Sequence, residues 1–189
     1  MNKSRRWWHY LVIYGAYFGL AIVITWPLIT NLSSVLVGFD YGDGREMARH
    51  IWWYAHALQT GQSILHEPLL AYPDGIPGFL LWADPLQFFP AWLLALILPV
   101  PAAANLAILL HMALNGLAMY IFIRHLLDGA DLPALLAGVI FMTAPTLQGH
   151  LGGGHAGLIV MWPVPLYLYA LYKLRGEFSW RWLIAGAVF

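Results

Sequence analysis

The sequence predicts an all-α protein: a polytopic transmembrane helical bundle with a long outer loop that contains juxtamembrane helices. Composition is the first reason, because hydrophobic residues make up 61% of the chain and charged residues 10%, whereas a soluble domain carries about 25% charged residues. The second is a mean hydropathy of +0.68. The third is that several apolar runs approach or exceed the roughly 20 residues needed to cross a bilayer.

The composition also excludes several classes of protein. The chain contains no cysteine, so it is not a small secreted domain held together by disulfides. Its formal net charge is zero, whereas a nucleic-acid-binding domain would show a basic face. We therefore expect the lipid bilayer to be a partner of this protein and nucleic acid not to be one.

We predict four complete membrane spans and a fifth that has only begun. They are expected at about residues 7–29, 103–127, 132–148, 156–174 and 182–189. The first run is longer than the roughly 7–15 apolar residues of a signal peptide, so we interpret it as an uncleaved anchor. Because the last apolar run is too short to cross a bilayer, we expect the chain to be the N-terminal part of a larger transmembrane domain.

The charged residues predict the topology of these spans. Short cytoplasmic loops carry most Lys and Arg, and seven of the nine such residues lie on one side if residues 80–98 do not cross. That segment is interrupted by Asp84, Pro85 and Pro90. We therefore expect a cytoplasmic N-terminus and an outer loop at residues 30–102, which holds six of the nine acidic residues.

Within the outer loop, residues 45–60 are predicted to form a helix on the membrane surface. One face is expected to comprise Met47, Ile51, Tyr54 or Ala55, and Leu58. The other face is expected to comprise Arg45, Arg49, Trp53, His56 and Thr60. Asp43 and Glu46 are spaced as in a capping box at the start of this helix, and Gly61 favours its end.

Three carboxylates of the outer loop are candidates for chemistry. Asp43 either caps the helix or acts as a general base that takes a proton from an acceptor hydroxyl. Asp40 is either a turn residue, as aspartate often is, or a ligand of a metal ion. Asp84 either caps the apolar helix that begins at Pro85 or serves the reaction at the membrane boundary, where a charged group is costly. Together, Asp40, Asp43 and Asp84 could bind a divalent cation such as Mg²⁺ or Mn²⁺.

Two basic residues are candidates for binding a lipid-linked phosphate. Arg45 and Arg49 lie one helical turn apart beside a predicted helix N-terminus, and guanidinium groups bind phosphate well. The alternative is that they are attracted to lipid headgroups or pair with the acidic residues of the same loop.

The later spans contribute four further polar candidates. His150 and His155 flank a leucine and three glycines in the next outer loop, where they either contact substrate or metal or form a flexible turn. His111 and Asn115 share one face of the second span. We predict that both form hydrogen bonds between membrane helices.

Several short motifs resemble the GT-C superfamily of membrane glycosyltransferases over nearly the whole chain. The motifs are Gly42-Asp43-Gly44 with the helix to Gly61, Tyr72-Pro73-Asp74-Gly75, Asp84-Pro85-Leu86, residues 120–127, Thr143-Ala144-Pro145 and Trp162-Pro163. The members that the chain resembles are bacterial oligosaccharyl, O-mannosyl and lipid A aminoarabinose transferase-like proteins. It departs from them where Gly44 stands in place of a second acid and where Asp84 replaces a His-Pro-Pro-Leu-like element.

The resemblance implies an inverting transfer of a sugar from a polyprenyl-phosphate-linked donor to an acceptor on the outer face of a bacterial inner membrane. It implies Asp43 as the catalytic base. In this interpretation Asp84 positions the acceptor or a metal ion, and Arg45 or Arg49 binds the leaving phosphate. Two other functions remain open: a transporter or flippase-like protein, and a non-catalytic membrane assembly protein. The absence of acidic residues from the predicted spans argues against an ion-coupled carrier.

Overall fold

A computed structural model describes residues 3–39, 42–77, 85–176 and 178–188. Within these ranges the chain is helical apart from turns and one antiparallel hairpin, so the predicted all-α fold is confirmed. The helices are α1 (Lys3–Ile24), α2 (Gly44–Thr60), α3 (Pro85–Ala95), α4 (Val100–Leu126), α5 (Asp131–Met142), α6 (Pro145–Gly153), α7 (Pro163–Leu174) and α8 (Trp180–Val188). The hairpin strands are β1 (His66–Glu67) and β2 (Ile76–Pro77), in the register His66 to Pro77 and Glu67 to Ile76.

The chain folds as two compact units. The span unit comprises Met1–Thr25, Leu109–Gln148 and Val160–Phe189. The loop unit comprises Trp26–Ile108 and Gly149–Ile159. The loop unit therefore contains the whole of the predicted outer loop together with the glycine-rich segment that follows the third predicted span.

Among the residues that the structure describes, four helical segments are long and apolar enough to cross a membrane, by length and composition. They are Trp7–Ile24, Val100–Leu126, Asp131–Gly153 and Ala156–Leu174. Each overlaps one of the four complete spans that the sequence predicts, and the ends differ by up to five residues. The third segment consists of α5 and α6, which are separated just before Pro145 because a residue that precedes proline disfavours helical geometry. Helix α3 has 11 residues, about half the length that a span requires.

Hydrogen bonds within the span unit define the direction of α4 relative to α1. His9 Nε2 lies 2.7 Å from the Tyr120 hydroxyl, and the Tyr14 hydroxyl donates to the Leu110 carbonyl at 3.5 Å. Residues further along α1 therefore lie beside residues nearer the start of α4. The two helices are antiparallel, and the start of α1 lies beside the end of α4.

Helix α5 runs parallel to α1. His9 lies 3.7 Å from the Asp131 carboxylate at the start of α5, and the Tyr17 hydroxyl donates to the Leu135 carbonyl at 3.1 Å. A Cβ at Gly138 would come within 2.0 Å of the Tyr17 hydroxyl, so this close approach requires a glycine.

The predicted interhelical hydrogen bonds of α4 are confirmed. Asn115 Oδ1 accepts the Met161 backbone N–H at 3.1 Å, and the Trp162 indole N–H donates to His111 Nδ1 at 3.2 Å. Both side chains of α4 are buried, and an unpaired polar group would be costly in a bilayer. These bonds fix the start of α7 against the middle of α4.

The core of the loop unit is aromatic and lies between α2, α3 and the hairpin. Trp53, Tyr54 and Ala57 are buried, with Ile64, Ile76, Phe88 and Trp92 packed against them. Helix α2 agrees with the predicted helix over residues 45–60, and Gly61 ends it in the left-handed conformation. The predicted apolar face is largely confirmed, because Met47, Ile51, Tyr54 and Ala55 are buried. The prediction is wrong at two residues: Leu58 is 49% exposed, and Trp53 of the other face is fully buried. Packing against two neighbouring elements widens the buried face beyond the single stripe that spacing predicts.

Candidate functional site

The candidate site is an open cleft in the loop unit with a volume of about 450 Å³. It lies where the first turns of α2 and α3 meet the segment that follows α6. Its polar and aromatic lining comprises Asp43, Glu46, His50, Gln87, Phe88 and His155. Two of the residues that the sequence singles out, Asp43 and His155, therefore line the same cleft.

Glycines bring these two residues together. A Cβ at Gly42 would lie 2.3 Å from the Gly153 carbonyl oxygen, and one at Gly38 would lie 2.7 Å from Gly154 Cα. Gly154 itself has a φ of +75°, which disfavours other residues. The backbone before α2 thus packs directly on the backbone after α6. The Gly42-Asp43-Gly44 motif and the glycine run at residues 152–154 form one structural feature.

Asp43 stands at the N-cap position of α2 but does not cap it. Its side chain makes no cap hydrogen bond, so the predicted capping box is wrong. The reason is the backbone: an N-cap residue is normally extended, whereas Asp43 has helical angles of φ −72° and ψ −2°. The carboxylate is 68% exposed, and its Oδ2 lies 3.5 Å from His155 Nε2.

His155 also contacts the other predicted histidine. Its Nδ1 lies 3.4 Å from His150 Nδ1, and its backbone N–H donates to the His150 carbonyl at 3.0 Å. The segment is not an irregular turn, because α6 continues through His150 to Gly153. Asp43, His155 and His150 therefore form a continuous row of polar groups that starts in the cleft.

A second acid–imidazole pair lines the cleft, and the sequence analysis missed it. Glu46 Oε1 lies 3.6 Å from His50 Nε2, one turn further along α2. The His50 ring stacks on Phe88 with 5.5 Å between ring centroids, which holds the imidazole in place. The spacing of an acid and a histidine four residues apart on the helix that follows Asp43 was the available signal.

Gln87 is another lining residue that the sequence analysis missed. Its side chain lines the cleft, and the residue is 8% exposed. The sequence does carry a signal, because Gln87 is the one polar residue of α3, Pro85–Ala95, in an otherwise apolar helix.

Arg49 is engaged away from the cleft. Its guanidinium forms a salt bridge with Glu67, a fully buried carboxylate of β1. Burial raises the pKa of Glu67, and the positive charges of Arg49 and His50 oppose that increase. Within the described ranges, Glu67 Oε2 has no hydrogen-bond partner. The structure thus shows Arg49 paired with an acidic residue of the same loop, which is one of the interpretations that the sequence left open.

The remaining predicted residues do not line the cleft or are not described. Arg45 is exposed on the first turn of α2, outside the lining. Asp40 and Asp84 lie outside the described residues. Among the residues that the structure describes, no group of three or more histidine, aspartate or glutamate side chains is placed to hold a metal ion. The cation site of Asp40, Asp43 and Asp84 stays a prediction.

No protein-family model, curated protein or solved structure matches the chain. The resemblance to the GT-C superfamily therefore rests on the sequence motifs alone.

Proposed function

We propose that the protein is a membrane glycosyltransferase that transfers a sugar from a polyprenyl-phosphate-linked donor to an acceptor hydroxyl at the membrane surface. The observation that carries the proposal is the Asp43 carboxylate, which lies in the cleft, is open to solvent and takes no part in capping α2. A general base must reach the proton that it removes, and this carboxylate is accessible to a bound acceptor. The cleft volume falls within the roughly 300–1,000 Å³ of small-molecule sites.

In the proposed reaction the acceptor oxygen attacks the anomeric carbon of the donor sugar. The bond between that carbon and the phosphate oxygen breaks, and its electron pair stays with the phosphate. The acceptor proton passes to Asp43. His155 contacts Oδ2 of this carboxylate and so orients it, while His150 contacts the opposite side of the His155 ring.

The leaving phosphate is assigned to His50 rather than to the arginines. Arg49 is bound to Glu67, and Arg45 does not line the cleft. Among the described residues that line it, His50 and His155 are the side chains able to carry a positive charge. Both ring nitrogens of His155 already contact Asp43 and His150, so His50 is the one assigned to the phosphate. An imidazole N–H can also donate directly to a phosphate oxygen.

The test is release of polyprenyl phosphate by the protein reconstituted in vesicles. A panel of undecaprenyl-phosphate-linked sugars serves as donors, a cell-envelope extract supplies acceptors, and mass spectrometry follows both products. The wild type should turn over at least one donor. Asp43→Asn should lower the rate by about 10²–10⁴-fold, the contribution of a general base.

The matched control is Asp74→Asn, which makes the same chemical change at an exposed aspartate of the hairpin turn outside the cleft lining. This variant should keep the wild-type rate. Equal rates for wild type and Asp43→Asn would remove Asp43 as the base. No turnover of any donor by the wild type would refute the transferase.

A further inference from the structure

The span unit contains a second, smaller cleft with a volume of about 170 Å³. It lies where α1 begins and where α4 and α7 end. Its polar lining comprises Tyr10, Arg124, His125, Asp128 and Tyr169. This volume is below the roughly 300–1,000 Å³ of typical small-molecule pockets, so it suits a small polar group rather than a whole substrate.

The guanidinium of the cleft is held in a defined orientation. Arg124 Nε donates to Asp131 Oδ1 at 2.6 Å, and the Tyr120 hydroxyl donates to the same oxygen at 2.6 Å. This bridge uses one of the three guanidinium nitrogens. Arg124 therefore presents a fixed positive group to the cleft and does not move freely in solvent.

A negative group lines the same cleft. Asp128 is exposed and follows the end of α4 with a left-handed backbone, φ +50°. Its carboxylate and the Arg124 guanidinium belong to one small lining, which therefore offers both signs of charge. Such a lining matches a ligand that carries a phosphate and an ammonium group.

Two further nitrogen-bearing side chains lie beside Tyr169, a lining residue of the cleft. The His125 ring packs edge-on against Tyr169 at 5.0 Å, and Lys173 Nζ lies 5.8 Å from the centre of the same tyrosine ring. Basic pockets between membrane helices are known to bind the headgroups of phospholipids.

Exposed apolar and tryptophan side chains lie near this cleft, as is typical of a membrane–water interface. Leu126, Leu127 and Leu132 are exposed at the adjoining ends of α4 and α5. Trp7 and Trp8 are exposed near the start of α1, and tryptophan is enriched at the headgroup level of a bilayer. A lipid with its headgroup in the cleft would lay its acyl chains on exposed apolar side chains.

We propose that this cleft binds phosphatidylethanolamine, a phospholipid whose headgroup joins a phosphate to a primary ammonium. Arg124 and His125 receive the phosphate, and Asp128 receives the ammonium. This lipid site is independent of the transfer reaction, because it belongs to the span unit and uses none of the residues of the larger cleft.

The test measures lipid selectivity rather than activity. The purified protein is equilibrated with equal amounts of phosphatidylethanolamine, phosphatidylcholine and phosphatidylglycerol that carry the same acyl chains, and native mass spectrometry counts the lipids retained. The wild type should retain phosphatidylethanolamine about two- to fivefold over phosphatidylglycerol, the range expected of an exposed ion pair. It should also prefer phosphatidylethanolamine to phosphatidylcholine, whose quaternary ammonium keeps the charge but forms no hydrogen bond. Phosphatidylcholine has no N–H to donate to Asp128, and phosphatidylglycerol has no ammonium.

Two variants separate the halves of the site. Asp128→Asn should remove the preference for phosphatidylethanolamine, while Asp74→Asn, the same change at an exposed turn of the loop unit, should retain it. Arg124→Lys should lower the retention of all three lipids together, because lysine lacks the planar fork that binds phosphate.

Three results would overturn the assignment. The first is equal retention of phosphatidylethanolamine and phosphatidylglycerol by the wild type. The second is unchanged selectivity in Asp128→Asn. The third is displacement of the retained lipid by an equal concentration of glycerophosphoethanolamine, which would identify a site for soluble phosphate esters instead of lipid.

Discussion

Replacing Gly42 by alanine tests the backbone packing that brings Asp43 to His155. The new Cβ would lie 2.3 Å from the Gly153 carbonyl oxygen and 3.2 Å from the carbonyl carbon. Because both obstacles are backbone atoms, neither can rotate away as a side chain would. One of the two segments has to move by about 1 Å to reach ordinary contact distance. Overpacking of this kind lowers the free energy of unfolding by about 1–3 kcal/mol.

The matched control lies in the same glycine run. Gly152 is a residue of α6, and a Cβ added there meets nothing within 4 Å. Alanine is the better helix former by about 1 kcal/mol, so Gly152→Ala should be neutral or stabilising. The two variants make the same chemical change and should differ in free energy of unfolding by about 1–4 kcal/mol.

Two assays follow the effect. Denaturant unfolding in detergent, monitored by circular dichroism, gives the stability of each variant. Because the chain has no cysteine, cysteines introduced at Asp43 and His155 can be joined by a short bifunctional thiol reagent, which reports their proximity. Gly42→Ala should reduce this cross-linking, and Gly152→Ala should not. Equal stability and equal cross-linking in the two variants would refute the idea that backbone packing at Gly42 positions the site.

Two further predictions concern the buried carboxylate and the topology. Burial raises the pKa of Glu67 against the opposing charges of Arg49 and His50, so the folded protein keeps this proton at pH values where the unfolded chain has lost it. The free energy of unfolding should therefore fall as the pH rises from about 4.3 through the folded pKa, and then level off. Denaturant titrations at several pH values measure this decline, and Glu67→Gln should make it less steep. An equally steep decline in the variant would contradict the prediction. A membrane-impermeant maleimide should label a cysteine at Asp43 in intact cells and a cysteine at Asp128 only after permeabilisation, and the opposite pattern would invert the predicted topology.

Much of the helical framework could be predicted because it depends on local sequence. The apolar runs overlap the four described segments that are long enough to span a membrane, and the predicted helix over residues 45–60 differs from α2 by one residue at its start. Gly61 ends α2 as predicted, since a left-handed residue there satisfies the last carbonyls without steric cost. These features require only the spacing of residues along the chain.

The missing cap of α2 and the burial of Trp53 could not be predicted in the same way. Asp43 has the residue type and spacing of a cap, but its backbone is helical, and the preceding Gly42 packs against Gly153 at the end of α6. Trp53 is buried because α3 and the hairpin both pack against α2. Spacing cannot reveal a second neighbour that comes from elsewhere in the chain.

The sequence by itself determined that the long helices are apolar enough for a membrane and where along the chain they lie. It also identified Asp43 and His155 as candidate site residues. Only the tertiary structure decided which groups meet: His155 with Asp43, His50 with Glu46, and Arg49 with a buried carboxylate rather than with the cleft. The physical reason is that burial in lipid and helix formation follow from local hydropathy and spacing. Partnership between side chains depends on the packing of segments that are distant in sequence.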